Sequence, residues 1–349
     1  MRPLFVSSTG SLAGQTLFAW HLMGRLADRG LSPGFYKPLG YTDETTAVDP
    51  DVALFSALFA LPERPEAMCP FTLQGYREHA LEFTEGRFLA QVKDRFDELR
   101  AGHASFVVMG SADIFYEPEF MGLPDHRFIE LLDAKVVLVD RFVSESDTVY
   151  SALAVGSFLG DRLRAIVVSR VPPDAEPRLR AKLAPLARAR RATQIVVVPE
   201  ERVLASNPVS HYADLLGGRV LAAPGRLDNL VSETTIGSAP LGGPLRVLKR
   251  VYNKIVLLGG TAAQLADPAF TPFPCGVILT SGRVPADVVV QACADADVPL
   301  VAVPLDSFAI LDRLGRQRFQ LSAVHHAFKE ERLATLLEGQ LDVDRLLSD

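Results

Sequence analysis

The residues from Ser7 to Thr16 have the types and spacing that could bind a phosphate group. Pro3 to Val6 is a short apolar run suited to a buried strand, and helical periodicity begins at Thr16. Small residues lie between them, including Gly10 and Gly14, which let the backbone approach an anion with no Cβ in the way. Because loop N–H groups and a helix N-terminus converge on one point, this strand–loop–helix segment predicts an anion cradle.

The same loop lacks the cation that phosphoryl transfer uses. A Walker A loop ends in Gly-Lys-Ser/Thr, and its lysine reaches the β- and γ-phosphates. Here the corresponding residues are Gly14-Gln15-Thr16. The neutral amide of Gln15 cannot neutralise phosphate charge, so the pattern predicts a cradle without the catalytic lysine.

The elements that must position this loop alternate between strands and helices. Short apolar runs predict buried strands at Leu31–Lys37, Ser105–Gly110, Ala134–Asp140, Leu163–Ser169 and Gln194–Val198. Such runs, separated by helical segments, are typical of an α/β fold with a parallel sheet covered on both faces. Ligands bind at the carboxyl ends of such strands, which is where the loop is expected to lie.

A turn-rich connection from Pro199 to Ser206 indicates a domain boundary. A chain of 349 residues favours two domains, and we expect them at residues 1–199 and 200–349. The second domain is expected to be a smaller α/β unit. Its apolar runs begin near Val220, Ile255, Gly276 and Leu300, and a polar helical segment spans Ser322 to Leu347.

Composition and charge restrict the class of protein. Hydrophobic residues make up 48% of the chain and charged residues 22%, which is enough for packed cores. The net charge of −6 disfavours nucleic acid as a partner, because binding a phosphate backbone requires a basic face. No apolar stretch approaches the ~20 residues needed to span a bilayer, so we expect no membrane partner and a cytoplasmic location. The three cysteines are widely spaced and indicate neither a disulfide framework nor a zinc site.

Several segments together resemble a known family. Val6–Thr16, Tyr36–Gly40 and the pair Pro50-Asp51 are similar to the nucleotide-binding region of dethiobiotin synthetase. The likeness is closer to the synthetase-like N-terminal domain of long bacterial phosphotransacetylases. The segment Val198–Ser206, followed by Ile236-Gly237, resembles the start of the DRTGG domain that comes next in those proteins. No residues remain for their acyl-transferring domain, so we do not expect phosphotransacetylase activity.

The resemblance implies a P-loop NTPase-like domain followed by a DRTGG-like domain, and a cofactor that is ATP or another nucleotide with Mg²⁺. The nucleotide-binding residues that it implies are Thr9, Gly10, Ser11, Gly14, Gln15, Thr16 and Lys37, and the metal ligands are Thr16 and Asp51. Each has a simpler interpretation. Thr16 suits the first turn of any helix, Lys37 suits a surface lysine, and Asp51 suits the N-terminus of a helix beginning at Pro50.

The sequence departs from the family where catalysis would need it most. Gln15 and Met109 stand where dethiobiotin synthetase has the loop lysine and a metal-binding carboxylate. A thioether is a poor ligand for Mg²⁺. Asp113 and Glu117 could replace the lost carboxylate or could lie in a solvated loop. Ser169 stands near the position of an adenine-contacting Asn, and the DRTGG signature is itself altered after Leu258.

These departures predict a non-catalytic or weakly catalytic ligand-sensing or regulatory protein, in which a degenerate P-loop is coupled to a DRTGG-like domain. One alternative is an ATP- and Mg²⁺-dependent enzyme of the dethiobiotin synthetase class that activates a carboxylate. Another is a structural scaffold that binds a protein partner. The resemblance also implies a homodimer and a small phosphorylated or nucleotide ligand, whose identity the sequence does not give.

Overall fold

The computed structural model describes residues 1–10, 12–42, 48–72, 85–111, 113–115, 123–190, 192–237, 253–259, 274–316 and 321–348. The chain forms two compact units. Unit 1 contains residues 1–201, 320–323 and 327–349, and unit 2 contains residues 202–319 and 324–326. Each unit has its own sheet and its own apolar core.

Within the described ranges, unit 1 contains one parallel sheet of six strands. They are β1 (Leu4–Ser8), β2 (Pro33–Tyr36), β3 (Ser105–Met109), β4 (Lys135–Arg141), β5 (Leu163–Val171) and β6 (Gln194–Pro199). The order across the sheet is β2-β3-β1-β4-β5-β6, so β1 is an interior strand. Every residue of β1 and β3 is buried, as expected for strands that are covered on both faces.

Helices separate these strands along the chain. They are α1 (Gln15–Ala27), α2 (Pro50–Phe59), α3 (Pro65–Met68), α4 (Glu85–Arg100), α5 (Asp125–Leu131), α6 (Glu145–Leu159) and α7 (Glu176–Ala189). Side chains of Asp49 and Ser144 cap α2 and α6 by accepting from N–H groups of the first turn. Among the helices in the described ranges, none combines the length and apolarity needed to cross a bilayer.

Unit 2 contains a smaller sheet. Its described strands are β7 (Asn207–Pro208), β8 (Arg219–Ala222), β9 (Leu230–Val231), β10 (Glu233–Gly237), β11 (Lys254–Leu258), β12 (Gly276–Leu279) and β13 (Leu300–Ala302). Five of them pair in the order β10-β11-β12-β13-β8, with β8 antiparallel to β13, and β7 pairs with β9. The helices are α8 (Arg202–Ala205), α9 (Val209–Leu215), α10 (Asp287–Asp295) and α11 (Ser307–Arg316).

The predicted α/β fold is confirmed, with a parallel sheet in the first unit and a smaller α/β unit after it. The five later strands predicted for the first unit all form, with ends that differ by one or two residues. The prediction missed β10 in unit 2, because its sequence Glu-Thr-Thr-Ile-Gly is mostly polar and the strand lies exposed at a sheet edge. The helix predicted from Gln74 is described from Glu85 onward.

The C-terminal segment differs from the single polar helix expected over Ser322–Leu347 in a domain of residues 200–349. It forms two helices, α12 (Ala323–Leu337) and α13 (Val343–Leu347), with Gly339 in a left-handed conformation between them (φ 71°). From residue 327 onward the chain belongs to unit 1. Helical periodicity in the sequence does not reveal which of two cores a terminal helix will join.

A buried lysine explains why α13 belongs to unit 1. Lys135, at the start of β4, is fully buried and donates from Nζ to the carbonyl oxygens of Leu347 (2.6 Å) and Ser348 (2.7 Å). A buried ammonium group needs acceptors, and the last carbonyls of a helix are free to accept. The end of the chain thus satisfies a charge that lies inside the first sheet.

Candidate functional site

The loop after β1 lies at the carboxyl edge of the sheet and leads directly into α1. Gly14 precedes the helix with φ 96° and ψ 18°, a conformation that favours glycine. No side chain caps α1, and the first backbone hydrogen bond of the helix runs from the N–H of Phe18 to the oxygen of Gly14 (3.0 Å). The N–H groups of an uncapped first turn attract an anion. The backbone therefore retains the donors that an anion cradle needs.

Gln15 turns its side chain away from the mouth of the loop. Its Nε2 donates to the carbonyl oxygens of Val6 (2.7 Å) and Gly110 (3.2 Å), which belong to β1 and to the residue after β3. Its Oε1 lies 3.5 Å from the hydroxyl of Ser8. An amide nitrogen has two hydrogens, so these carbonyls occupy both of its donors. Gln15 therefore links two strand ends and keeps no donor for a phosphate.

The structure brings together three of the predicted site residues from separate parts of the sequence. The hydroxyl of Thr16 donates to Asp51 Oδ1 (2.9 Å), and the ammonium group of Lys37 donates to Asp51 Oδ2 (2.6 Å). Lys37 also contacts both carboxylate oxygens of Asp49, at 2.9 and 3.1 Å. Sequence reasoning missed Asp49. Its position directly before Pro50 at the start of a helix is the signal for a capping residue.

Lys37 is a charged group that is already neutralised by the protein. Its side chain is 7% exposed, and that of Asp49 is fully buried. Burial alone would lower the pKa of the Lys37 ammonium group, but the neighbouring Asp49 and Asp51 outweigh burial and raise the pKa. Lys37 is therefore charged at neutral pH, and two carboxylates share that charge. This arrangement leaves little attraction for a phosphate.

A second carboxylate that the sequence analysis did not single out lies beside the loop. Asp140, near the end of β4, is 5% exposed and accepts a short hydrogen bond from the hydroxyl of Thr9. Burial raises the pKa of Asp140, while the hydrogen bond from Thr9 acts in the opposite direction. An aspartate close to the end of an otherwise apolar run was the signal available in the sequence. In its ionised form this carboxylate opposes the approach of a phosphate to the loop.

A buried acid, Asp125, lies next to the residue that follows Met109. Met109 is 2% exposed, and Asp125 at the start of α5 lies so close to Gly110 that a Cβ there would be 1.7 Å from Asp125 Oδ2. Asp125 is fully buried and accepts from the hydroxyl of Ser7 (2.5 Å) and the N–H of Ser111 (2.9 Å). Its oxygens therefore hold the ends of β1 and β3 and are not presented to a ligand.

The remaining predicted residues have local roles or lie outside the described residues. The carbonyl of Gly10 accepts from the hydroxyl of Ser8 (3.0 Å). Asp113 accepts from the N–H of Phe115 (2.8 Å) in a local turn. Ser169 donates to the carbonyl of Ala13 (2.7 Å), which fastens the end of β5 to the loop. Ser11 and Glu117 lie outside the described residues.

The arrangement fits a phosphate group better than a catalytic ATP–Mg²⁺ complex. In the described part of the chain, no three His, Cys, Asp or Glu side chains form a group that could hold a metal. Thr16 and Asp51 offer oxygen atoms of the kind that Mg²⁺ prefers, but both are already engaged with each other and Asp51 also with Lys37. The uncapped N-terminus of α1 is the part of the site that can receive an anion.

Two solved structures are similar to parts of the chain. One is the regulatory region of Clostridium perfringens pyrophosphatase, with CBS and DRTGG domains, complexed with its activator diadenosine tetraphosphate. It is 16% identical with a TM-score of 0.27, and the match covers 40% of this chain and 62% of that one. The other is a GTPase in its apo form from Pyrococcus abyssi. It is 12% identical with a TM-score of 0.29, and the match covers 56% of this chain and 90% of that one.

Family models match most of the chain. A model described as an AAA domain matches residues 2–209, and a model described as a DRTGG domain matches residues 211–317. No curated protein matches the sequence significantly. The first match covers more than half of the chain and agrees with the strand–loop–helix geometry around Gly14. The chain therefore belongs to the family of AAA domains with a dethiobiotin synthetase-like P-loop, followed here by a DRTGG domain.

Proposed function

We propose that this chain is a non-catalytic or weakly catalytic ligand-sensing protein with a regulatory role. The observation that carries the proposal is the position of Gln15, whose amide donates to the carbonyls of Val6 and Gly110. A lysine there would bring a positive charge to the phosphates, whereas this glutamine brings neither charge nor a free donor. The uncapped first turn of α1 supports binding of a small phosphorylated or nucleotide ligand.

The electrostatics around the loop support sensing over catalysis. Phosphoryl transfer depends on cations that neutralise the charge developing on the transferred group. Lys37 is held by Asp49 and Asp51, and the carboxylate of Asp140 lies beside Thr9. A site with these contacts can recognise a ligand through backbone N–H groups, but it supplies little of the stabilisation that fast transfer requires.

The contact between Thr16, Asp51 and Lys37 favours a second candidate function. By resemblance, these residues match the metal and phosphate positions of an ATP- and Mg²⁺-dependent enzyme of the dethiobiotin synthetase class. Asp51 contacts both Thr16 (2.9 Å) and Lys37 (2.6 Å). Such an enzyme would need Lys37 to exchange a carboxylate for a phosphate when ATP binds. A structural scaffold, the third candidate, would bind no nucleotide at all.

Ligand binding and turnover distinguish the three candidates. Thermal unfolding of the full chain is measured with ATP, ADP, AMP, acetyl phosphate or coenzyme A, with and without Mg²⁺, and ATP hydrolysis is followed in parallel. We expect at least one of these ligands to raise the unfolding midpoint by mass action, without steady-state hydrolysis near the ~1 s⁻¹ of ordinary kinases. Turnover at that rate would identify an enzyme, and the absence of any shift would favour a scaffold.

Replacing Gln15 with Lys is expected to strengthen nucleotide binding. A hydrogen bond to a charged group contributes roughly 1.5–3 kcal/mol, so we expect ATP affinity to rise about tenfold or more. Calorimetry on Gln15→Lys measures this. Gln15→Met is the matched control, because it removes the bonds to Val6 and Gly110 without adding charge. Equal ATP binding by the wild type and the lysine variant would mean that the loop is not a phosphate cradle.

We also propose that the protein is a homodimer that pairs through its DRTGG domain, as the family resemblance implies. Such a dimer would most often be isologous and would bury at least ~1,000 Å² in total. Light scattering of the full chain at micromolar concentration is expected to give the dimer mass. A monomer mass across that concentration range would refute the pairing.

A further inference from the structure

Two arginines lie side by side where β4 and β5 reach the carboxyl edge of the sheet. Arg141 ends β4, and the strand register places it opposite Ser169, the residue before Arg170. The N–H of Phe142 donates to the carbonyl of Ser169 (2.9 Å), which keeps the two strand ends together beyond the register pair. Because Ser169 also donates to Ala13, this part of the edge adjoins the loop before α1.

The backbone at Arg170 is shaped in an unusual way. Arg170 has φ 57°, in the left-handed region, and the pairing of β5 with β6 shifts register between Val168 and Val171. Residues other than glycine rarely adopt the left-handed region because it is strained, and such irregularities often redirect a side chain beside a functional site. Here the left-handed residue within the register shift is Arg170 itself.

The two guanidinium groups carry like charges and repel each other. Both side chains are exposed, and within the described part of the chain neither takes part in an ion pair or a side-chain hydrogen bond. Burial and then the charge of Arg141 lower the pKa of Arg170, while Glu200 acts in the opposite direction. Asp140, the residue before Arg141, directs its carboxylate to Thr9 instead.

A buried lysine of unit 1 is close enough to Arg170 for their charges to interact. Lys329 in α12 is 2% exposed, and its pKa is lowered to about 7, first by burial and then by the charge of Arg170. Like charges that lie close together destabilise a fold, and an anion between them reverses the sign of the interaction. Arg141 and Arg170 lie at the edge where ligands bind in α/β sheets.

We propose that Arg141 and Arg170 form an anion site at the ends of β4 and β5 that binds the phosphate of a small phosphorylated ligand. Guanidinium groups bind phosphate oxygens in a bidentate way, and they keep their charge at all physiological pH values. The inference rests on the proposed function and deepens it. It assigns to this arginine pair the positive charge that Gln15 does not supply to the loop.

Calorimetry with inorganic phosphate and pyrophosphate tests the site in the full chain. We expect pyrophosphate to bind the wild type, Arg141→Gln and Arg170→Gln to weaken binding about tenfold or more each, and the double variant to abolish it. Arg188→Gln is the matched control. Arg188 is an exposed arginine of α7, and within the described residues its side chain donates only to the carbonyl of Ala184 (3.3 Å). Absent binding to the wild type, or equal binding to all variants, overturns the proposal.

Thermal unfolding midpoints show whether an arginine variant has lost phosphate binding because it no longer folds. Without ligand, each arginine variant should be at least as stable as the wild type, because it removes a like-charge repulsion. With pyrophosphate, the midpoint of the wild type should rise and that of the double variant should not. A double variant that pyrophosphate still stabilises contradicts the assignment.

Comparison of ligands separates this inference from the proposed function. Suppose that AMP or ATP stabilises the protein, that phosphate and pyrophosphate do not, and that the arginine variants bind AMP as the wild type does. The proposed anion site is then wrong, but the proposed ligand-sensing function stands. Suppose instead that pyrophosphate binds through the arginines, but neither a nucleotide nor acetyl phosphate shifts the unfolding midpoint. The anion site then stands, and the proposed sensing of nucleotides is wrong. Adenosine, which lacks a phosphate, should bind all variants equally, and a loss of adenosine binding would contradict phosphate recognition by the arginines.

Discussion

Replacing Lys37 with Met is expected to lower the free energy of unfolding of unit 1 by about 3–5 kcal/mol, the usual cost of removing one partner from a buried ion pair. In the wild type the Lys37 ammonium group contacts Asp49 and Asp51, and the Asp49 side chain is fully buried. The variant leaves two carboxylates close together without their shared cation. Asp49 keeps the N–H groups of Tyr41 (2.7 Å) and Asp51 (2.9 Å), which offset only part of the loss.

Unfolding in urea, monitored by tryptophan fluorescence, reports the stability of unit 1. Trp20 is the single tryptophan of the chain, and it is 7% exposed in α1 of unit 1. Lys93→Met is the matched control, because Lys93 forms an exposed pair with Asp97 within α4 that is expected to contribute less than about 1 kcal/mol. A Lys37 variant that is no less stable than the Lys93 variant would show that the buried pair does not stabilise the fold.

Replacing Lys329 with Met is expected to have the opposite effect and to stabilise unit 1 at pH 7. Burial and Arg170 lower the pKa of Lys329 from its ordinary value of 10.5 to about 7. Between those two pH values the unfolded chain binds the proton more tightly than the folded one, so the free energy of unfolding rises with pH. The destabilisation is complete below about pH 7 and is on the order of 4 kcal/mol, which the methionine variant should largely remove.

The pH dependence identifies the lysine as the cause. Trp20 fluorescence in urea is recorded from pH 7 to 10 for the wild type, Lys329→Met and the control Lys93→Met. The wild type and the control should become more stable as the pH rises through this range, whereas the Lys329 variant should show a flatter profile. An unchanged slope in Lys329→Met would mean that Lys329 does not titrate in this window.

Both lysines illustrate how the first unit distributes charge around its P-loop. Lys37 sits with two carboxylates, and its charge is fixed inside the protein. Lys329 and Arg170 lie close enough for their charges to repel each other. In the proposed anion site, the cations that receive a ligand are Arg141 and Arg170 at the ends of β4 and β5.

The fold of the first unit could be predicted because its signals are local. Each interior strand is a short apolar run. The loop after β1 has Gly14, with φ 96°, directly before α1. Short runs that are buried on both faces, separated by helical segments, are typical of a parallel sheet covered on both sides. The edge strand β10 could not be predicted because its sequence is mostly polar. The unit to which the C-terminal helices belong could not be predicted either, because it depends on their contact with the buried Lys135.

The sequence alone determined which residue types surround the loop, including the replacement of its lysine by Gln15 and the presence of Thr16, Lys37 and Asp51. Only the tertiary structure decided what these groups do. It places the Gln15 amide on two strand-end carbonyls, Lys37 between two carboxylates, and Asp140 against Thr9. The physical reason is that a polar group acts through its partners, and buried partners come from strands and loops that are distant in sequence.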